Sequence, residues 1–143
     1  MHYALCIMRQ KEIMATRMRE KAAFRRENKD TRPKAHARYL RISPFKVRVV
    51  LDTIRGKAVN DAIASLRATP KAASPMVIKL IESAVANAEH NQNLSRHDLV
   101  VSEIYADAGP IMKRMQPVSK GRGHRINKRT SHITVILDEA KEN

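Results

Sequence analysis

The sequence predicts an α+β fold: three helices packed on a small three-stranded antiparallel sheet, with a long protruding β-hairpin and a basic N-terminal extension. Three observations carry that expectation. Three stretches place apolar residues at helical spacing behind a polar or proline start. Three others are short and rich in β-branched residues, as strands are. Between the last two of these, the stretch from Ala108 to Ile133 is strongly cationic, holds Gly-Arg-Gly near its middle and has too few apolar residues to build a core. Strands converging on a glycine turn read as a hairpin.

The 143 residues suit one domain with extensions. We expect a basic extension over residues 1–33, disordered or RNA-bound, and one domain over 34–143, with the extended hairpin at about 106–134. Charge divides the same way. With 28 Lys+Arg against 14 Asp+Glu, the net charge is +14, made of +10 over residues 1–49, −1 over 50–109, +7 over 110–132 and −2 over 133–143. A near-neutral body with two cationic appendages points to a polyanionic partner, nucleic acid first and an acidic membrane surface second. No apolar run approaches the roughly 20 residues needed to span a bilayer. The single cysteine, Cys6, excludes a disulfide framework within the chain and fits a reducing compartment.

Residues 9–32 are dominated by Arg, Lys and Glu, and Ile13, Arg17, Lys21 and Phe24 give no apolar stripe. A helix here would be solvated or RNA-bound, and a disordered basic tail is the simpler expectation. Glu12, Glu20, Glu27 and Asp30, with little Ser or Thr, argue against an organellar transit peptide. Met14-Ala15-Thr16 offers a second initiation site. Ala35 to Ile42 alternates as an edge strand. Ser43-Pro44 then reads as an N-cap with proline at the first helical position, followed by Val47, Val50, Leu51 and Ile54 on one face and a stop at Gly56. Lys46, Arg48 and Arg55 fall off that stripe. A second helix is expected from Asn60 or Asp61 to Thr69-Pro70, with Ala62, Ile63 and Leu66 inward. A third starts at Ser74-Pro75 or already near Pro70 and runs to about Asn91. Its stripe of Val77, Leu80, Ile81, Ala84, Val85 and Ala88 is the best in the chain. Asn87, His90 and Asn91 at its exit either join the core or face a partner.

Leu99 to Tyr105 and Ile133 to Leu137 are expected to pair antiparallel and, with the strand near residue 36, to complete the sheet. Asp138, Glu139 and Glu142 form an acidic tail. Each arm of the hairpin would extend about ten residues past the body, roughly 30–35 Å at about 3.3 Å per residue, turning at Gly121-Arg122-Gly123. An isolated hairpin is marginal in water. Something outside the chain must hold it, and seven Lys or Arg with no acid between Pro110 and His132 make that something anionic.

Catalytic signatures are missing. There is no P-loop, dinucleotide glycine pattern or nucleophile elbow. His90 and His97 flank a polar loop without ligand partners at metal spacing. Ser131-His132 are adjacent, so on a strand they point to opposite faces and cannot act as nucleophile and base. No cofactor or metal is implied. Five Phe and Tyr occur and none clusters in sequence, which argues against a base-stacking platform. What remains is phosphate contact and shape recognition by Lys and Arg. A free-standing regulator of DNA or mRNA would want a helix-turn-helix with base-reading side chains, whereas the cations here sit mainly on arms. An enzyme is more distant still.

Several motifs are familiar together. Ser43-Pro44-Phe45-Lys46-Val47-Arg48, Ile54-Arg55-Gly56-Lys57, Glu82-Ser83-Ala84-Val85-Ala86-Asn87-Ala88-Glu89-His90-Asn91, Gly109-Pro110-Ile111-Met112-Lys113-Arg114, Lys120-Gly121-Arg122 and Lys128-Arg129-Thr130-Ser131-His132-Ile133 follow in order from about Lys34 to Leu137. In these the chain resembles the bacterial ribosomal large-subunit protein L22 family (uL22). The resemblance implies a structural, non-catalytic constituent of the cytoplasmic ribosome, one copy per large subunit, that binds 23S rRNA and assists subunit assembly. Neighbouring large-subunit proteins and the nascent polypeptide would be its other partners. Its hairpin would thread the rRNA, and Lys120, Gly121, Arg122, Gly123, His124 and Arg125 would face the nascent-peptide exit tunnel, where changes in the family affect macrolide antibiotics. Lys113, Arg114, Lys120, Arg122, Arg125, Lys128, Arg129, Ser131 and His132 would bind rRNA along the arm. Lys34, His36, Arg38, Arg41, Ser43, Lys46, Arg48, Arg55, Lys57, Asn87, His90 and Asn91 would bind it from the body.

Overall fold

A computed structural model describes residues 16–28 and 30–140. Cys6 and the choice between Met1 and Met14 as the start lie outside the described residues. The chain divides into two units, Met1–Thr31 and Arg32–Asn143. In the first, residues 16–27 form a helix, α1, every residue of which is exposed. Its end is closed by Asn28, whose backbone N–H and side-chain amide both donate to Phe24 O, at 3.0 and 2.9 Å. Without an apolar stripe, α1 has no face to bury, consistent with its exposure.

The second unit runs β1 (Lys34–Leu40), α2 (Pro44–Leu51), α3 (Val59–Ala68), α4 (Ser74–Gln92), β2 (Leu99–Ala108), β3 (Met112–Pro117), β4 (Gly123–Lys128) and β5 (Ser131–Glu139). β5 lies between β1 and β2, antiparallel to both, and β3 pairs with β4 in a separate two-stranded sheet. Helices α2, α3 and α4 pack on one face of the three-stranded sheet. The core between them contains Leu51, Ile54, Leu66, Ile81, Leu99, Ile104, Ile133 and Leu137, each essentially inaccessible to water. The stripe on α4 is buried along its length, from Val77 to Ala88. Asn93, in the left-handed region at φ 54°, closes that helix, with its N–H donating to Glu89 O at 3.2 Å.

Several boundaries differ from the sequence reading. The first helix stops at Leu51, and Ile54 is buried from the turn that follows. Gly56, at φ +77°, turns the chain onto the edge of β2, where its N–H donates to Val101 O at 2.9 Å and Lys57 O accepts from Val101 N–H at 3.0 Å. Ser43 is the N-cap, but its hydroxyl makes no capping bond. The second helix begins at Val59 rather than Asn60 or Asp61, because Val59 is itself a core residue. The third begins at Ser74, not Pro70, and Ser74 is not its cap: the buried hydroxyl donates back to Thr69 O at 3.0 Å. Both body strands are longer than expected, so the hairpin ladder starts at Met112↔Lys128 instead of near 106 and 134.

Between body and hairpin lies a neck. Gly109 N–H donates to Thr130 O at 2.9 Å, and the Thr130 hydroxyl donates to Pro110 O at 2.7 Å. A Cβ on Gly109 would come within 2.5 Å of Thr130 Oγ1, so the strands close here only around glycine. The apex falls at Ser119–Gly121, with Lys120 and Gly121 at φ 59° and 69°. Gly123 already belongs to β4, so the turn lies earlier than Gly121-Arg122-Gly123. Two successive left-handed residues complete the reversal, and Gly121 takes one without steric cost.

Candidate nucleic-acid interface

Residues 110–129 are all exposed. Across the ladder, Met112 faces Lys128, Arg114 faces Ile126 and Gln116 faces His124; in the alternate rows Lys113 faces Asn127 and Met115 faces Arg125. Directly opposed strand residues share a face, and successive residues alternate. One face of the arm therefore carries Arg114 and Lys128, the other Lys113 and Arg125, and the apex adds Lys120 and Arg122. No carboxylate lies along the arm to neutralise any of them. The charge encircles the arm rather than lining one side. Exposed Met112, Met115, Val118 and Ile126 lie among these cations and give the arm apolar surface without a core.

The residues expected at the hairpin tip, Lys120 to Arg125, split between two local structures. Lys120 and Gly121 form the apex, Arg122 follows it, and Gly123, His124 and Arg125 are strand residues of β4. The Arg41 guanidinium approaches Lys128 O at 3.4 Å, so a cation of the body sits against the root of the arm.

The body cations fall into two groups. Lys34, Arg38, Arg41 and Lys46 are exposed. Arg48 and Arg55 are tied to the protein itself. Arg48 donates from Nε and Nη2 to Ala106 O at 3.1 and 2.9 Å, and Arg55 donates from Nη2 to Ile104 O at 3.1 Å while its Nη1 pairs with Asp52 at 3.1 Å. β2 is an edge strand, so these carbonyls point away from the sheet and need donors from elsewhere. Lys57 Nζ reaches Ser65 Oγ at 3.5 Å. Asn87 donates to Lys34 O at 3.1 Å, which fastens α4 to β1, while His90 and Asn91 lie exposed beyond it. Ser43 is half-buried at the start of α2.

Ser131 has to be withdrawn as a contact residue. It is fully buried, its hydroxyl enclosed in the sheet, and no RNA can reach it. Strand alternation puts its neighbour His132 on the opposite face, away from the helices. That open face gathers residues far apart in sequence. Register aligns Lys34, Ile136 and Glu103 in one row, His36, Thr134 and Tyr105 in the next, and His132 with Asp107 in a third. Arg32 pairs with Glu103 at 2.9 Å. A depression of about 380 Å³ lies among His36, Arg38, Tyr39, Tyr105, Asp107 and His132. The sequence reading found no aromatic cluster, yet two of the three tyrosines line this one depression. Antiparallel pairing of β1 and β2 on β5 brings them together. The signal was the alternation Glu103-x-Tyr105-x-Asp107 opposite His132-x-Thr134, which becomes informative only once the register is known.

Among the described residues, no three of His, Cys, Asp and Glu gather to hold a metal ion, and no helix is long and apolar enough to cross a membrane. Compared with known protein families, the chain matches the family described as Ribosomal protein L22p/L17e over residues 35–138.

Proposed function

Because the chain belongs to the ribosomal protein L22p/L17e family, non-enzymatic structural proteins of the large ribosomal subunit, we propose that its hairpin is embedded in 23S rRNA of a bacterial-type ribosome. The observation that carries this reading is the charge on both faces of the arm and at its apex. A finger laid on an RNA surface needs cations on one side only; one enclosed by RNA needs them all round. Phosphates would also supply the support that an isolated two-stranded ladder lacks. Lys113, Arg114, Arg125, Lys128 and Arg129 are the arm contacts, and Lys34, Arg38, Arg41 and Lys46 those of the body. Arg48 and Arg55 serve the sheet edge first and RNA only with the donors left over.

The apex at Lys120 and Gly121, with Arg122, would reach the wall of the nascent-peptide exit tunnel, with one copy of the protein per subunit in a cytoplasmic ribosome. Support for the tip lies in its geometry: a narrow turn on a six-residue ladder places little bulk at the end of a long reach. By tying distant RNA segments to a folded body, the arm would also assist subunit assembly. Neighbouring large-subunit proteins would complete its surroundings, and exposed Phe45 and Val49 offer apolar surface for such contact.

Charge reversal tests the reading. Arg114→Glu with Arg129→Glu is expected to impair co-sedimentation with large subunits, by setting two carboxylates against phosphate, while far-UV circular dichroism of the body stays unchanged. Co-sedimentation at the parental level would refute an RNA-embedded arm. Replacing residues 114–128 by a short glycine-linked turn is expected to keep docking through the body and alter the tunnel. Complete loss of docking would make the arm the main anchor.

A further inference from the structure

We propose that the open face of the sheet holds one unpaired nucleotide of the RNA that passes the root of the hairpin, with its base stacked on Tyr105 and Tyr39. The proposal rests on the large-subunit RNA reading above and adds to it a second mode of recognition, away from the arm.

Its first support is exposure. Tyr105 is 43% and Tyr39 65% exposed, and both residues line the same depression. Two exposed rings on one face, in a chain with only five Phe and Tyr, offer a flat partner apolar surface. Every base offers a π-face, so stacking on tyrosine needs no particular sequence.

The second is the backbone at Tyr39. At φ 56° it is a bulky non-glycine residue in the left-handed region, where such residues are rare. The register of β1 against β5 shifts between Ala37 and Leu40, so Tyr39 sits in a bulge, a device that re-aims side chains. Two contacts hold it. Its N–H donates to His132 Nδ1 at 2.9 Å, and its ring meets that imidazole edge-on, with centroids 4.9 Å apart at 88°. Strain kept in place by two specific contacts marks a position where the side chain's direction matters. Here it puts both Arg38 and Tyr39 at the depression, where regular alternation would have sent them to opposite faces.

The third is the polar rim. Arg38 and the imidazoles of His36 and His132 lie around the rings, placed for a phosphate and a ribose. His36 Nδ1 is fixed by Thr134 Oγ1 at 3.0 Å, which steadies that ring. Asp107 is the one carboxylate at the rim, and it suits the N–H groups of a base edge rather than a phosphate. The fourth is continuity. Leu40 pairs with Ser131, and Arg41 touches Lys128 O, so the depression adjoins the strand end from which the cationic arm departs.

The test uses the full chain, with purified large-subunit rRNA and a short single-stranded oligoadenylate as probes. Ultraviolet cross-linking followed by peptide mapping is expected to attach a nucleotide to the peptide carrying Tyr39 or Tyr105. Tyr105→Ala is expected to weaken binding about 5- to 150-fold, the range for one stacked base. Tyr105→Phe should bind like the parent. The salt dependence should keep its slope in both, since no phosphate contact is lost. Cross-links confined to hairpin peptides, with Tyr105→Ala binding at parental strength, would overturn the proposal and leave the RNA-embedded arm intact. A cross-link from this face to another protein in the intact subunit would make it a protein-docking surface and also overturn it. Failure of the parent chain to bind large-subunit rRNA would overturn the ribosomal reading itself. Cross-linking of the parent protein needs no variant to fold.

Discussion

Gly109 decides where the body ends. A methyl group there would meet Thr130 Oγ1, which cannot turn aside without breaking its bond to Pro110 O. Overpacking of this kind typically costs about 1–3 kcal/mol. Gly109→Ala is accordingly expected to lower unfolding stability by that amount in a denaturant titration, whereas Gly56→Ala would be strained by its positive φ without any such collision. Arg48 is a second residue whose role depends on its surroundings. Both of its bonds to Ala106 O are charge-assisted, and such bonds contribute about 1.5–3 kcal/mol in general, less at an exposed edge. Replacing it by Met should destabilise by about 1 kcal/mol. Lys46→Met, two residues away and exposed, should stay within about 0.5 kcal/mol. Thermal melts of the two variants separate an arginine that holds the sheet edge from a lysine free for RNA. Sequence alone could not separate them, because a cation beside an apolar stripe looks the same whether its acceptor is a phosphate or a carbonyl.

Among the elements, α4 and the hairpin are opposites. α4 was legible from its apolar spacing because its neighbours bury one face over its whole length. Ile81 is fully buried there, and Ile81→Ala is expected to cost about 2–5 kcal/mol, read from the shift of the denaturation midpoint. The hairpin was legible from charge and glycine, but its turn and root were not. The apex moved to Ser119–Gly121 because Lys120 adopts a left-handed backbone that its residue type does not advertise. The open face of the sheet was the least visible element. His36, Tyr39, Tyr105, Asp107 and His132 come from three strands and meet only through the order β1-β5-β2. Ser131 was misplaced for a related reason: the family resemblance grouped it with the arm contacts, while strand alternation buried it.

At the scale of the whole molecule, a near-neutral body positions a cationic arm. The seven Lys and Arg of residues 110–132 fall within the six to ten phosphate contacts that make nucleic-acid binding steeply salt-dependent. Affinity for large-subunit rRNA is expected to drop about 10³–10⁵-fold between 50 and 200 mM salt. A variant lacking the arm should show a visibly shallower slope. The most direct measurement is limited trypsin digestion, because every Lys and Arg from Lys113 to Arg129 is exposed in the chain itself. The free protein should be cut throughout that stretch, and the same protein in native large subunits should resist cleavage there. Equally rapid cleavage between Lys113 and Arg129 in free protein and intact subunits would show an arm open to solvent, contradicting an arm enclosed in RNA.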